Sequence, residues 1–187
     1  MTAPTDSTRH RLLVSLPDLG DRNFDQTVVY MIEHDDEGAL GLVLNRPSDT
    51  AVAEHVCGAE VGVVEPAVFF VGGPVGVGGM LALGRRQADV ALRNARALAG
   101  PIVLVDIERL MEDDVDGVDG VRFFTGYSGW GPGQLDAELS HGVWNVMDAG
   151  PDDVLCADPQ DLWRLVMRRQ GGRLASLGLF PDDPNQN

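Results

Sequence analysis

The chain has 187 residues and is 44% hydrophobic, which suits one domain with a real core. Its fourteen cations are all arginine, against 29 acidic residues, and the formal net charge is −15. The absence of lysine excludes a Walker A lysine, a Schiff-base aldolase, a pyridoxal enzyme and the usual kinase chemistry. The negative charge opposes direct contact with nucleic acid or an anionic membrane. Twenty-three glycines and eleven prolines point to many turns and short elements.

In chain order, residues 1–11 read as a polar, disordered arm with no apolar signal region. Residues 12–16 form an apolar run stopped by Pro17, a strand. Residues 27–32 and 39–44 are apolar runs around Asp35-Asp36-Glu37-Gly38, which predicts a hairpin. Neither run alternates, so both faces are expected to be covered. Asn45-Arg46-Pro47-Ser48-Asp49 is a turn, and Ser48 or Asp49 is placed to cap a short helix through about Cys57.

Residues 66–84 carry no charge, but Gly72-Gly73-Pro74 would break a spanning helix. Two buried strands, residues 67–71 and 80–83, paired around a glycine turn are expected instead. Ala88, Ala91, Leu92 and Ala95 have helical spacing. Residues 102–105 form a strand, 108–114 a helical turn, and 121–127 a strand entering a glycine-rich bend. Pro132 opens a helix carrying Leu135 and Leu139. Residues 143–147 and 154–156 read as short strands. A last helix begins near Pro159, with Leu162, Leu165, Val166 and Arg169 as its inner stripe. Residues 12–180 thus form the domain and 181–187 a flexible tail. Strands that outnumber helices without alternating with them indicate an α+β fold.

Four segments in order resemble the YqgE/AlgH family: Phe24 to Glu33-His34; Gly38-Ala39-Leu40-Gly41-Leu42-Val43-Leu44-Asn45-Arg46-Pro47; Gly72-Gly73-Pro74-Val75; and Gly126-Tyr127-Ser128-Gly129-Trp130-Gly131-Pro132-Gly133-Gln134-Leu135, continuing to Glu138-Leu139 and Trp144. The resemblance covers about residues 12–169. It implies a single α+β domain with a bifurcated, mainly antiparallel sheet forming a pseudo-barrel flanked by helices. It also implies no established enzymatic activity, and a label of transcriptional regulator tied to exopolysaccharide control.

The glycine-rich segment 126–134 is the leading candidate site. Its backbone N–H groups, with Tyr127 and Trp130, could hold a ring-bearing ligand. The competing reading, which we favour, makes the glycines shape-makers and Trp130 a core residue. Ser128 lacks the glycine two positions later that a nucleophile elbow needs, because Trp130 stands there. Gly72, Gly73 and Pro74 resemble a phosphate loop in glycine content alone. Glu112 to Gly117 starts like a calcium loop, but Phe123 occupies the position of the bidentate carboxylate. Cys57 and Cys156 lack metal-ligand spacing and read as reduced thiols of a cytoplasmic protein. Arg164, Arg168, Arg169 and Arg173 suit a helix C-terminus. No cofactor or metal motif is read.

Two functions remain open. The first is a non-enzymatic binding or regulatory protein with a small ligand or a protein partner. Its candidate residues are Asn45, Arg46, Gly72, Gly73, Pro74, Gly129, Trp130 and Gln134. Any effect on transcription would pass through that partner. The second is a small-molecule or nucleotide-binding enzyme using His34 or Glu138 in acid–base chemistry. Pairing of sheet edges between copies is a third option.

Overall fold

The computed structural model describes residues 7–16, 26–56, 62–150 and 152–178. The strands there are β1 (Leu12–Val14), β2 (Val28–Asp35), β3 (Gly38–Val43), β4 (Pro47–Ala51), β5 (Val68–Val71), β6 (Val75–Arg86), β7 (Ala95–Ala97), β8 (Ile102–Val105), β9 (Val118–Trp130) and β10 (Asn145–Met147). The helices are α1 (Ile107–Met111), α2 (Gln134–Ser140), α3 (Leu162–Gln170) and α4 (Gly172–Leu177). The sheet runs β10-β1-β2-β3-β9-β6-β8-β7, with β4 and β5 as a side branch, and curls into a half-barrel. Every pairing is antiparallel except β5 with β9. The fold is therefore the expected α+β, with a forked sheet.

The β2–β3 hairpin closes where the Asp35 side chain accepts a hydrogen bond from the Glu37 N–H at 2.9 Å, an Asx-turn. Its residues divide between two cores. Tyr30, Ile32 and Leu42 join Phe70, Phe124 and the inner face of α3. Val29, Met31 and Val43 join Trp130, Leu135 and Trp144. Cover on both faces is why the hairpin sequence does not alternate. A third cluster packs Phe69, Phe123, Val103, Val105 and Leu110 under α1.

The fork lies on β9. One edge of β9 is taken first by β5 (Phe70 opposite Phe124, Val71 opposite Thr125) and then by β3 (Gly41 opposite Ser128, Ala39 opposite Trp130). Gly72 manages the exchange. Its N–H donates to the Thr125 carbonyl at 2.9 Å, and its own carbonyl accepts from the Val43 N–H at 2.9 Å. Backbones cross here without room for side chains. Gly126 has φ +65°, and a Cβ on it would sit 2.6 Å from the Gly73 carbonyl oxygen. A Cβ on Gly73, at φ +155°, would run into the Tyr127 backbone. On the other edge of β9, Val75 faces Tyr127 while Met80 faces Thr125. The four residues 76–79 thus stand opposite Gly126 alone and bulge outwards.

Several expectations are corrected. The helix through Cys57 is β4 followed by a 3-10 turn, Val52–Glu54, because the backbone of Pro47 and Ala51 is engaged by β5. Cys57 itself lies outside the described residues. Residues 80–83 pair with β8 and β9, not with 67–71. Strand β6 begins at Val75, inside the expected glycine turn, and Met80, expected to be buried, is 40% exposed. The helix over Ala88 to Ala95 does not form: Asp89 and Asn94 have φ of 62° and 53°, and the Asn94 amide donates to the Asp114 carbonyl at 2.7 Å. Residues 154–156 form a turn. The strand expected to end at Tyr127 continues to Trp130, and the bend begins at Gly131. On α3 the buried stripe is Leu162, Trp163, Val166 and Met167, while Leu165 is 47% exposed. Residues 7–11 of the expected arm are packed against β2, with the His10 N–H donating to the Met31 carbonyl at 2.8 Å. The tail 181–187 lies outside the described residues.

Candidate functional site

A bulge decides which side chains reach the candidate site. Met31 pairs with Gly41 and Glu33 with Leu40, so Ile32 is an extra residue on β2. Beyond it the side chains change face. His34, Ala39 and Trp130 form one cross-strand row on the side covered by α2. Glu33, Leu40 and Gly129 form the neighbouring row on the other side.

On the covered side, Trp130 and Trp144 meet edge to face, with centroids 6.2 Å apart. Both indole N–H groups donate to Glu138 Oε2, at 2.8 and 2.7 Å. Glu138 Oε1 accepts from the Gln134 amide at 3.0 Å, and Gln134 Oε1 accepts from the Gly131 N–H at 3.1 Å. Gln134 and Glu138 are one helical turn apart, so α2 presents both to the strand end. Both oxygens of Glu138 are thereby occupied by donors.

His34 belongs to the same side, and its side chain is 7% exposed. Nδ1 accepts from the Thr8 N–H at 3.2 Å and lies 3.0 Å from Thr8 Oγ1. That bond assigns the proton to Nε2, which faces Asp136 Oδ1 at 3.5 Å. Asp136 Oδ1 is buried and has no hydrogen bond, so this contact is a long electrostatic one. Hydroxyl, imidazole and carboxylate stand in the order a hydrolase uses. However, Thr8 is 1% exposed, so its hydroxyl is sealed from a substrate. The arrangement ties the 7–11 segment to the hairpin end.

On the open side lies a cleft of about 450 Å³. Glu33, Asp35, Glu37, Leu40, Val75 and Tyr127 line it, and Gly129 and Trp130 border it. Arg96 on β7 donates to Glu33 at 3.0 Å, whereas no ion pair engages Asp35 or Glu37 among the described residues. Val75, on β6, lines the cleft and is 39% exposed. Among the described residues, no group of three side chains suited to hold a metal occurs.

The remaining candidates separate. Asn45 accepts from the Val28 N–H at 3.0 Å and donates to the Gln26 carbonyl at 2.8 Å. Arg46 donates to Thr27 Oγ1 at 2.9 Å. Both fasten the hairpin end opposite His34 and stay apart from the cleft. Gly72 and Gly73 are buried in the fork, and Pro74 is exposed between the fork and β6. Ser128 Oγ donates to the Gly72 carbonyl at 3.2 Å, a structural bond. The acidic run at 112–116 is engaged by Arg109 and Arg93.

Sequence reasoning missed Thr8, Asp136 and a buried cation. Arg122 is 1% exposed, and its guanidinium lies 4.3 Å over the Phe70 ring. It donates to the carbonyls of Glu65 and Cys156, both at 2.8 Å, and of Val154 at 3.4 Å. Burial pulls its pKa down to about 10. The available signal was a charge inside the apolar run of β9. The Cys156 thiol donates to the Asp158 carbonyl at 3.3 Å, and burial pushes its pKa up, contrary to a reactive thiolate. No helix among the described residues is long and apolar enough to cross a membrane.

Comparison with known proteins agrees with this architecture. Residues 12–175 match the AlgH-like family, DUF179. A UPF0301 protein of Streptomyces avermitilis is 44% identical over 181 residues, covering 95% of this chain and 94% of the relative. A UPF0301 protein of Thermobifida fusca is 43% identical over 185 residues, covering 94% and 93%. Among solved structures, a crystal structure of a Corynebacterium diphtheriae protein superposes with a TM-score of 0.85 at 30% identity, covering 96% and 95% of the two chains. The solution structure of AlgH from Pseudomonas aeruginosa gives 0.69 at 27% identity, covering 98% of each. With motif order, fold and relatives in agreement over nearly its whole length, the chain belongs to the YqgE/AlgH family.

Proposed function

We propose that this is a cytoplasmic binding and regulatory protein that works through a protein partner rather than by covalent chemistry. Its recognition surface is the cleft between the β2–β3 turn and the Val75–Tyr127 pair, and it receives a basic, partly apolar segment of that partner. The observation that carries this reading is the grouping, in one cleft, of two carboxylates without an ion pair among the described residues, Asp35 and Glu37, with the apolar side chains of Leu40, Val75 and Tyr127. Charge opposite to −15 is steered towards such a cleft, and Leu40, Val75 and Tyr127 supply contact area. Any influence on transcription then passes through the partner. Acid–base catalysis is disfavoured because Glu138 has both oxygens occupied and His34 is sealed behind Thr8.

The test is fluorescence anisotropy with a short labelled peptide alternating arginine and leucine. The expected result is salt-sensitive binding that weakens about tenfold in the Asp35→Asn/Glu37→Gln variant. Peptide affinity unchanged by that substitution, or tight salt-sensitive binding of duplex DNA, overturns the reading.

A further inference from the structure

A second cavity lies away from the acidic cleft, at the seam of the half-barrel. It has a volume of about 240 Å³ and is framed by His10, Tyr30, the 99–102 loop entering β8, and Ala149, Gly150 and Val154 after β10. Its walls are mostly apolar. Two of the framing residues carry polar atoms that are unpaired among the described residues: the Tyr30 hydroxyl and His10 Nε2 are buried without a hydrogen-bond partner there. Tyr30 as a whole is 1% exposed.

Buried polar atoms are nearly always bonded, and leaving one unpaired is costly. Two of them on one cavity call for a guest that supplies the missing bonds. A dry apolar cavity of about 150 Å³ already admits benzene, so the space here takes a ring-sized molecule with a polar handle.

Both side chains are also held uncharged. Burial raises the Tyr30 phenol to about 12, and burial, then Arg9 and Arg96, lower the His10 imidazole. The same loss of hydration penalises a charged guest.

We propose that this cavity binds a small, uncharged, mainly apolar molecule through a hydroxyl or carbonyl group that bonds Tyr30 and His10. Neither residue belongs to the recognition cleft, so the two sites can succeed or fail separately.

The test is fluorine-19 NMR of the full chain with three probes: para-fluorobenzyl alcohol, para-fluorotoluene and para-fluorobenzoate. The alcohol is expected to bind, with the other two at least about threefold weaker. Tyr30→Phe and His10→Phe should each weaken the alcohol by roughly fivefold, the loss of one neutral hydrogen bond. Tyr30→Phe should melt no lower than the parent, since it deletes an unpartnered hydroxyl, which separates lost binding from lost folding. No binding of any probe overturns the proposal, because water then suffices as the filler. Toluene or benzoate binding as tightly as the alcohol overturns it, as does unchanged alcohol affinity in either variant.

Discussion

Across β2, β3 and the end of β9, residues one position apart meet opposite surroundings. His34, Ala39 and Trp130 face α2, where Glu138 answers two indoles and one amide. Glu33, Leu40 and Gly129 face the cleft, where Asp35 and Glu37 have no ion-pair partner among the described residues and lie beside the exposed Val75. The difference rests on one extra residue, Ile32. The covered side spends its polar groups on internal bonds and is expected to govern stability. The open side leaves them unspent and is expected to govern recognition.

The most severe way to break this arrangement is Gly73→Ala at the fork both sides share. A Cβ there collides with the Tyr127 backbone, which cannot yield without parting β9 from its neighbours. A loss of about 4 kcal/mol or more is expected, read as the disappearance of a cooperative urea transition. Next comes Glu138→Ala on the covered side. It removes the carboxylate to which two buried indole N–H groups donate, with an expected loss of about 3 kcal/mol and a red-shifted tryptophan emission.

Alkaline pH gives a third, milder test through Tyr30. Tyr30, on β2, is buried. The Tyr30 phenol is raised from 10.0 to about 12 in the folded chain, so the fold favours its neutral form. Its contribution to stability is therefore complete below pH 10 and declines as pH rises towards 12. Tyr30→Phe should delete the phenolate absorbance that develops as pH rises towards 12.

The smallest effect on stability belongs to the open side. Asp35→Asn/Glu37→Gln should change unfolding free energy by less than about 0.5 kcal/mol while weakening the basic peptide. A large loss of stability there would contradict the division of labour between the two sides.

Local signals marked the elements well where local chemistry decides them. The Asp35–Gly38 turn, the apolar runs of β2 and β3, and the opening of α2 after Pro132 were all legible. Signals failed where a distant partner decides. Alanine spacing over 88–95 imitates a helix, but Asn94 is captured by Asp114, twenty positions on. Residues 80–83 sit close to 67–71 in sequence, yet β9 and β8 claim them. Trp163, read as lying off the inner stripe of α3, is buried because its indole donates to the Ser15 carbonyl at 2.8 Å, 148 positions away. At the candidate site, Trp130, Gln134, Glu138 and His34 were legible as chemistry, but their grouping was not. The bulge at Ile32 leaves no mark in an apolar run, and Thr8 belonged to a segment read as disordered.

Arg122 has a consequence for motion. Its guanidinium holds carbonyls from two irregular segments, around Glu65 and around 154–156, and among the described residues no carboxylate shares the task. Neither segment can swing outward without releasing the other's anchor. Their amides should therefore exchange with solvent as one cooperative unit, and Arg122→Met should uncouple the two exchange rates.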